Sequence, residues 1–123
     1  MFLNAQWART YGGSGDDRAY LLQKTNDGGC IVAGDTNSFG ASFKDLWVLK
    51  LDLNGAVEWQ KIYESLYYDN LFSLQQTNDG GYVLGCQARS FNAGEEEFWI
   101  LKLDLLGDID WQGSFGRIII NGF

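Results

Sequence analysis

The residues able to do chemistry in this chain are carboxylates, amines, hydroxyls and two thiols, because histidine is absent from all 123 positions. Without imidazole there is no Ser-His or Cys-His nucleophile, and the commonest general base is missing. Cys30 and Cys86 stand 56 residues apart and offer no zinc motif. They read first as small buried hydrophobes with free thiols, and a disulfide between them stays open. A calcium loop needs about six to eight oxygens from closely spaced carboxylates. Asp16-Asp17 and Asp52-x-Asn54-Gly55 come nearest, and neither has the spacing of a calcium-binding loop. Glu95-Glu96-Glu97 reads as a solvated negative loop. No metal and no cofactor is expected. Paired acids such as Asp16 and Asp69 could serve a glycoside hydrolase, whose carboxylates stand about 5–10 Å apart. That is the outside alternative to a chain expected to be no enzyme.

The acids with the clearest context lie in two copies of one turn, Thr25-Asn26-Asp27-Gly28-Gly29 and Thr77-Asn78-Asp79-Gly80-Gly81. A carboxylate here bonds turn amides, and the glycines supply left-handed backbone. Asp27, Gly29, Asp79 and Gly81 are therefore expected to be structural. Lys50 and Lys102 sit in otherwise apolar segments and require carboxylate partners, expected from Asp17, Asp69, Asp52 or Asp104. The remaining charge is acidic: 16 acids against 9 bases give a net charge of −7, and no two bases are adjacent. Phosphate neutralisation needs clustered Lys and Arg, so nucleic acid and anionic lipid surfaces are disfavoured partners. No apolar run approaches the roughly 18 residues of a membrane span. The first residues, Met1 to Gln6, show no signal peptide.

The elements that hold these residues repeat. Trp7, Trp59 and Trp111 recur at a spacing of 52, and residues 7–58 laid over 59–110 give 20 identities. The whole chain, 1–123, divides into six leading residues, two repeats and a tail from 111 to 123. Each repeat reads as four strands: Arg18 to Thr25, Cys30 to Thr36, Asp45 to Asp52 and Ala56 to Tyr63. Their copies are Asn70 to Thr77, Tyr82 to Ala88, Glu97 to Asp104 and Asp108 to Phe115. Asx-Gly turns separate the strands, and no segment carries a helical apolar period. The third strand is apolar on both faces: Trp47, Leu49 and Leu51 on one, Leu46 and Val48 on the other. A sheet with a wet face would alternate instead. A four-stranded meander covered on both sides and repeated every 40–50 residues or so is a propeller blade. A two-sheet sandwich is the competitor.

The repeat also resembles a known family, on its own motifs. Trp7, Tyr11-Gly12-Gly13-Ser14-Gly15-Asp16-Asp17, Gln23, Thr25, Asp27-Gly28-Gly29 and Ile31-Val32-Ala33-Gly34 are followed by Ser38-Phe39-Gly40-Ala41 and Asp45 through Gly55. This pattern is similar to the tandem β-propeller repeat of many bacterial and archaeal surface or secreted proteins, and it covers residues 7–116. The turn containing Asp27 also matches the Ser/Thr-x-Asp-x-Gly core of the Asp-box of several propellers. The resemblance implies a blade and an extracellular or cell-surface setting, and it carries no catalytic residue. The second copy departs at Glu64-Ser65-Leu66-Tyr67-Tyr68-Asp69, and the third breaks off after Gly116.

The expected fold is all-β, with two four-stranded propeller blades. Two blades cannot close a ring, which needs roughly four to eight. Either identical chains join head to tail, with three copies favoured over two or four, or further blades lie outside this sequence. Trp7, Trp47, Trp59, Trp99 and Trp111 are expected to pack between blades rather than to stack on sugars. Tyr67, Tyr68 and Asp69 interrupt the repeat symmetry and are the expected recognition residues for a glycan or protein. The expected function is a noncatalytic binding scaffold, with a purely structural self-assembling module as the alternative.

Overall fold

A computed structural model of the chain describes residues 8–37, 45–63, 67–89 and 96–114. Sheet 1 contains β1 (Asp17–Lys24), β2 (Cys30–Thr36), β3 (Asp45–Leu51) and β4 (Val57–Tyr63). Sheet 2 contains β5 (Tyr67–Gln76), β6 (Tyr82–Arg89), β7 (Glu96–Leu103) and β8 (Ile109–Ser114). Both are antiparallel meanders in which each strand bonds only to its sequence neighbours. No helix occurs among the described residues.

Four turns connect these hairpins with one geometry. Gly28 N–H donates to the Thr25 carbonyl at 3.1 Å, and Gly55, Gly80 and Gly107 make the equivalent bond at 3.0–3.1 Å. Each of these glycines has a positive φ, between 83° and 89°. The left-handed residue is thus the first glycine of the pair in Asp27-Gly28-Gly29, not the second. Gly29 has a different role: a Cβ there would stand 2.0 Å from the Leu51 carbonyl oxygen, and at Gly81 2.1 Å from that of Leu103. The second glycine lets the turn lie against the neighbouring strand.

Strand alternation gives each sheet a front and a back. In sheet 1 the front carries Cys30, Val32, Trp47, Leu49 and Leu51, and the back carries Ile31, Ala33, Leu46, Val48 and Lys50. The main core joins the back of sheet 1 to the front of sheet 2. Ile31, Ala33, Leu46, Val48 and Tyr63 meet Tyr82, Leu84, Cys86, Leu101 and Leu103, with Trp59, Leu71, Leu74 and Trp99 at its margin. The two sheets therefore bury different faces, one its back and the other its front. A second, smaller core covers the front of sheet 1, where Tyr11 and Ile62 pack against Trp47, Leu49 and Leu51.

β5 begins three residues before the expected Asn70. Tyr67 pairs with Arg89 and Tyr68 with Ala88, and the strand absorbs two register shifts further on. Aromatic residues favour an extended pleated backbone, whereas the glycine-rich run at the same place in the first repeat does not. Tyr67, Tyr68 and Asp69 are therefore strand residues.

Candidate interaction surface

The aspartate turns are the first of the sequence-derived sites that the described residues place. Asp27 Oδ1 accepts from the Thr25 hydroxyl at 2.6 Å and from the Gly29 N–H at 3.0 Å. Lys50 Nζ then reaches Asp27 Oδ2 at 3.0 Å, Glu58 Oε1 at 2.7 Å and the Leu51 carbonyl at 2.8 Å. The second repeat copies this arrangement. Thr77 and Gly81 donate to Asp79, and Lys102 Nζ lies 3.0 Å from Asp79 Oδ2. The carboxylates that pair the lysines are thus Asp27 with Glu58, and Asp79 with Asp110. This corrects the expectation of Asp17, Asp69, Asp52 or Asp104. Asp17 instead accepts from the Thr36 hydroxyl and from the Gly13 N–H. Asp52 and Asp104 close their own turns, accepting from Asn54 and Ala56, and from Leu106 and Asp108.

These bonds set the charge states. The Thr25 hydroxyl, the Gly29 amide and Lys50 hold Asp27 well below the usual carboxylate range, and Thr77, Gly81 and Lys102 do the same for Asp79. Burial works to lower the Lys50 pKa, but its bonds to Glu58 and Asp27 outweigh that and hold it above the ordinary value. Every group in the cluster is satisfied by its neighbours, so its chemistry is that of a clamp between turn and strand. Among the described residues no group of three or more acidic or thiol side chains is arranged to hold a metal. Both cysteines are free thiols, Cys86 fully buried and Cys30 partly so.

The tryptophans show where the surface is unfinished. Trp47 is buried on the front of sheet 1 and donates to Gln60 Oε1 at 2.9 Å. Trp59 reaches across from β4 to sheet 2, where its Nε1 donates to the Leu105 carbonyl at 3.1 Å. Its ring meets Tyr82 edge-on at 5.9 Å between centroids and lies over Gly107, where a Cβ would come within 2.5 Å of it. Tyr63, four residues on, donates its hydroxyl to the Gly107 carbonyl at 2.7 Å, and Lys61 pairs with Asp108 at 3.0 Å. Trp111 holds the place of Trp59 in the second repeat, yet it is 50% exposed. Among the described residues no third sheet lies against it, whereas sheet 2 covers Trp59. Trp7 lies outside the described residues, as do the side chains of Tyr67, Tyr68 and Asp69.

The same contrast runs across the back of sheet 2. Leu46 and Val48 are fully buried in sheet 1, while their counterparts Phe98 and Ile100 are only half-buried. On the front of sheet 1, Tyr11, Val32, Trp47 and Leu49 help to line a cavity of about 150 Å³. The equivalent ground on sheet 2 lies beneath sheet 1. Repeat symmetry alone could have located both surfaces, because each is the counterpart of a face buried elsewhere in the chain. Sequence reading missed Tyr11 and Tyr63, although both are tyrosines at the same repeat position. No protein-family model matches the chain, and no curated protein matches it either.

Proposed function

We propose that the chain is a noncatalytic binding or interaction scaffold of the propeller type, in which each four-stranded sheet is one blade. One observation carries this reading: the back of sheet 1 packs on the front of sheet 2, so the interface is heterologous and leaves two complementary faces. A closed two-sheet sandwich would bury like faces against each other. Heterologous contacts continue until a rotation closes them. Two sheets per chain and roughly four to eight blades per ring allow two, three or four copies, and three copies with six blades is the assembly we favour. The resemblance of the repeat to the tandem β-propeller unit of surface and secreted proteins supports a cell-surface setting. Tyr67, Tyr68 and Asp69, at the first residues of β5, are the proposed contact with a glycan or a protein.

Light scattering at micromolar concentration tests the assembly, with an expected mass about three times the 13.8 kDa of the chain. A strict monomer overturns ring closure by copies. Glycan-array or pull-down binding that vanishes in Tyr67→Ala/Tyr68→Ala supports recognition. Silence across a broad panel leaves self-assembly as the role.

A further inference from the structure

The chain contains three segments of one kind and two places to seat them. Residues 7–11, 59–63 and 111–115 stand at the same repeat position. The seats are the turns at Gly55 and Gly107. Residues 59–63 occupy the Gly107 turn, through the Trp59 ring and the Tyr63 hydroxyl. The Gly55 turn is occupied by the chain's own beginning: the Tyr11 hydroxyl donates to the Gly55 carbonyl, the same bond at the same sequence separation of 44. Trp111 is left half exposed at the far side of sheet 2.

Resting on the scaffold reading above, we propose that the front of sheet 1 is the docking surface for the back of sheet 2 of a second copy, and that Tyr11 competes in cis for that seat. The internal interface is the template. It puts the back of one sheet on the front of the next and a tryptophan of the outermost strand over a left-handed glycine. Carried forward by one repeat, it brings Phe98 and Ile100 of the second copy onto Trp47, Leu49 and Val32, beside the cavity. It brings Trp111 of that copy to the Gly55 turn. This ground is already covered within the chain: Trp47, Leu49 and Leu51 are at most 5% exposed, and Tyr11 is among the residues packed against them. The competition is unequal in one atom: position 115, the counterpart of Tyr11, is phenylalanine and has no hydroxyl for the Gly55 carbonyl. The chain's own segment thus holds the seat by a hydrogen bond that the incoming segment cannot make. Association of copies requires its displacement.

The test is the association constant of the full chain, from light scattering or sedimentation over a concentration series, with circular dichroism as the check on folding. Tyr11→Ala frees the seat and is expected to strengthen association about tenfold, the equivalent of about 1.4 kcal/mol. Tyr11→Phe removes only the hydroxyl and is expected to move it the same way by less, which covers the case where the alanine variant fails to fold. Trp111→Ala removes an exposed ring, leaves the fold intact and is expected to weaken association about tenfold or more. Weakened or unchanged association in both Tyr11 variants overturns the competition, and unchanged association in Trp111→Ala overturns the docking geometry. A wild-type monomer that associates as Tyr11→Phe or Tyr11→Ala means the resting ring is wrong while the competition stands. A wild-type oligomer indifferent to both positions keeps the scaffold and discards this interface.

Discussion

Replacing Gly107 by alanine probes the junction of the two sheets at a single atom. Gly107 has φ of 84°, and a Cβ there would lie 2.5 Å from Trp59 Cζ3 and 2.8 Å from Cε3 and Cη2. Two costs follow. Left-handed backbone at a residue with a Cβ costs about 1–2 kcal/mol, and forcing a methyl group into a packed contact adds about 1–3 kcal/mol. The sum is about 2–5 kcal/mol. Gly28 provides the control, with φ of 89° and the Leu53 methyl as its nearest neighbour at 3.5 Å. Gly28→Ala should therefore carry only the backbone cost, about 1–2 kcal/mol. Urea unfolding followed by circular dichroism gives both values, provided that the slope is unchanged between variants. A cycle with Trp59→Leu then isolates the ring, because trimming the indole should bring the cost of Gly107→Ala down to that of Gly28→Ala. Equal costs for the two alanine variants in the wild-type background, or no coupling to Trp59, would refute the packing of β4 on the turn between β7 and β8.

The depressed pKa values of Asp27 and Asp79 predict a loss of stability in acid. Both carboxylates contribute stability above the ordinary carboxylate pKa, and that contribution fades as pH falls below about 4. Asp27→Asn/Asp79→Asn should therefore flatten the decline in unfolding free energy between about pH 5 and pH 2. Lys50→Met, which replaces a buried amine with an apolar chain of similar length, should be tolerated better than Asp27→Ala. The latter takes the acceptor from the Thr25 hydroxyl and the Gly29 amide and leaves Lys50 with Glu58 as its one carboxylate, at a cost of about 1–3 kcal/mol by denaturation. Tyr63→Phe should cost about 1 kcal/mol by the same assay, from its lost bond to the Gly107 carbonyl. Burial pushes the Cys86 thiol up to about 12, so it should resist a thiol reagent at mild alkaline pH until the protein unfolds. Prompt modification of Cys86 in the folded chain would contradict its place between the sheets.

Periodicity made most of the architecture legible. The 52-residue spacing and the doubly apolar third strand point to two four-stranded sheets, and β2 runs from Cys30 to Thr36 as the alternation predicts. The strand ends were less visible: β5 starts at Tyr67 because tyrosines extend a strand where glycines would end it. The lysine partners were hidden for a different reason. Asp27 lies 23 residues from Lys50, and only the close approach of the Gly29 turn to Leu51 brings them together. The two outer faces follow from symmetry, but which side of each sheet meets the other is a matter of three-dimensional packing. Strand pattern alone gives both sides as apolar.

The strictly sequential order β1-β2-β3-β4 has a consequence for synthesis. Once Tyr63 has left the ribosome, sheet 1 owns every backbone partner it will use within the sheet. Ile31, Ala33, Leu46 and Val48 must nevertheless wait in water until Leu101 and Leu103 have also emerged. A nascent chain halted between β4 and β5 would present a greasy plane with no lid, the kind of surface that chaperones shield.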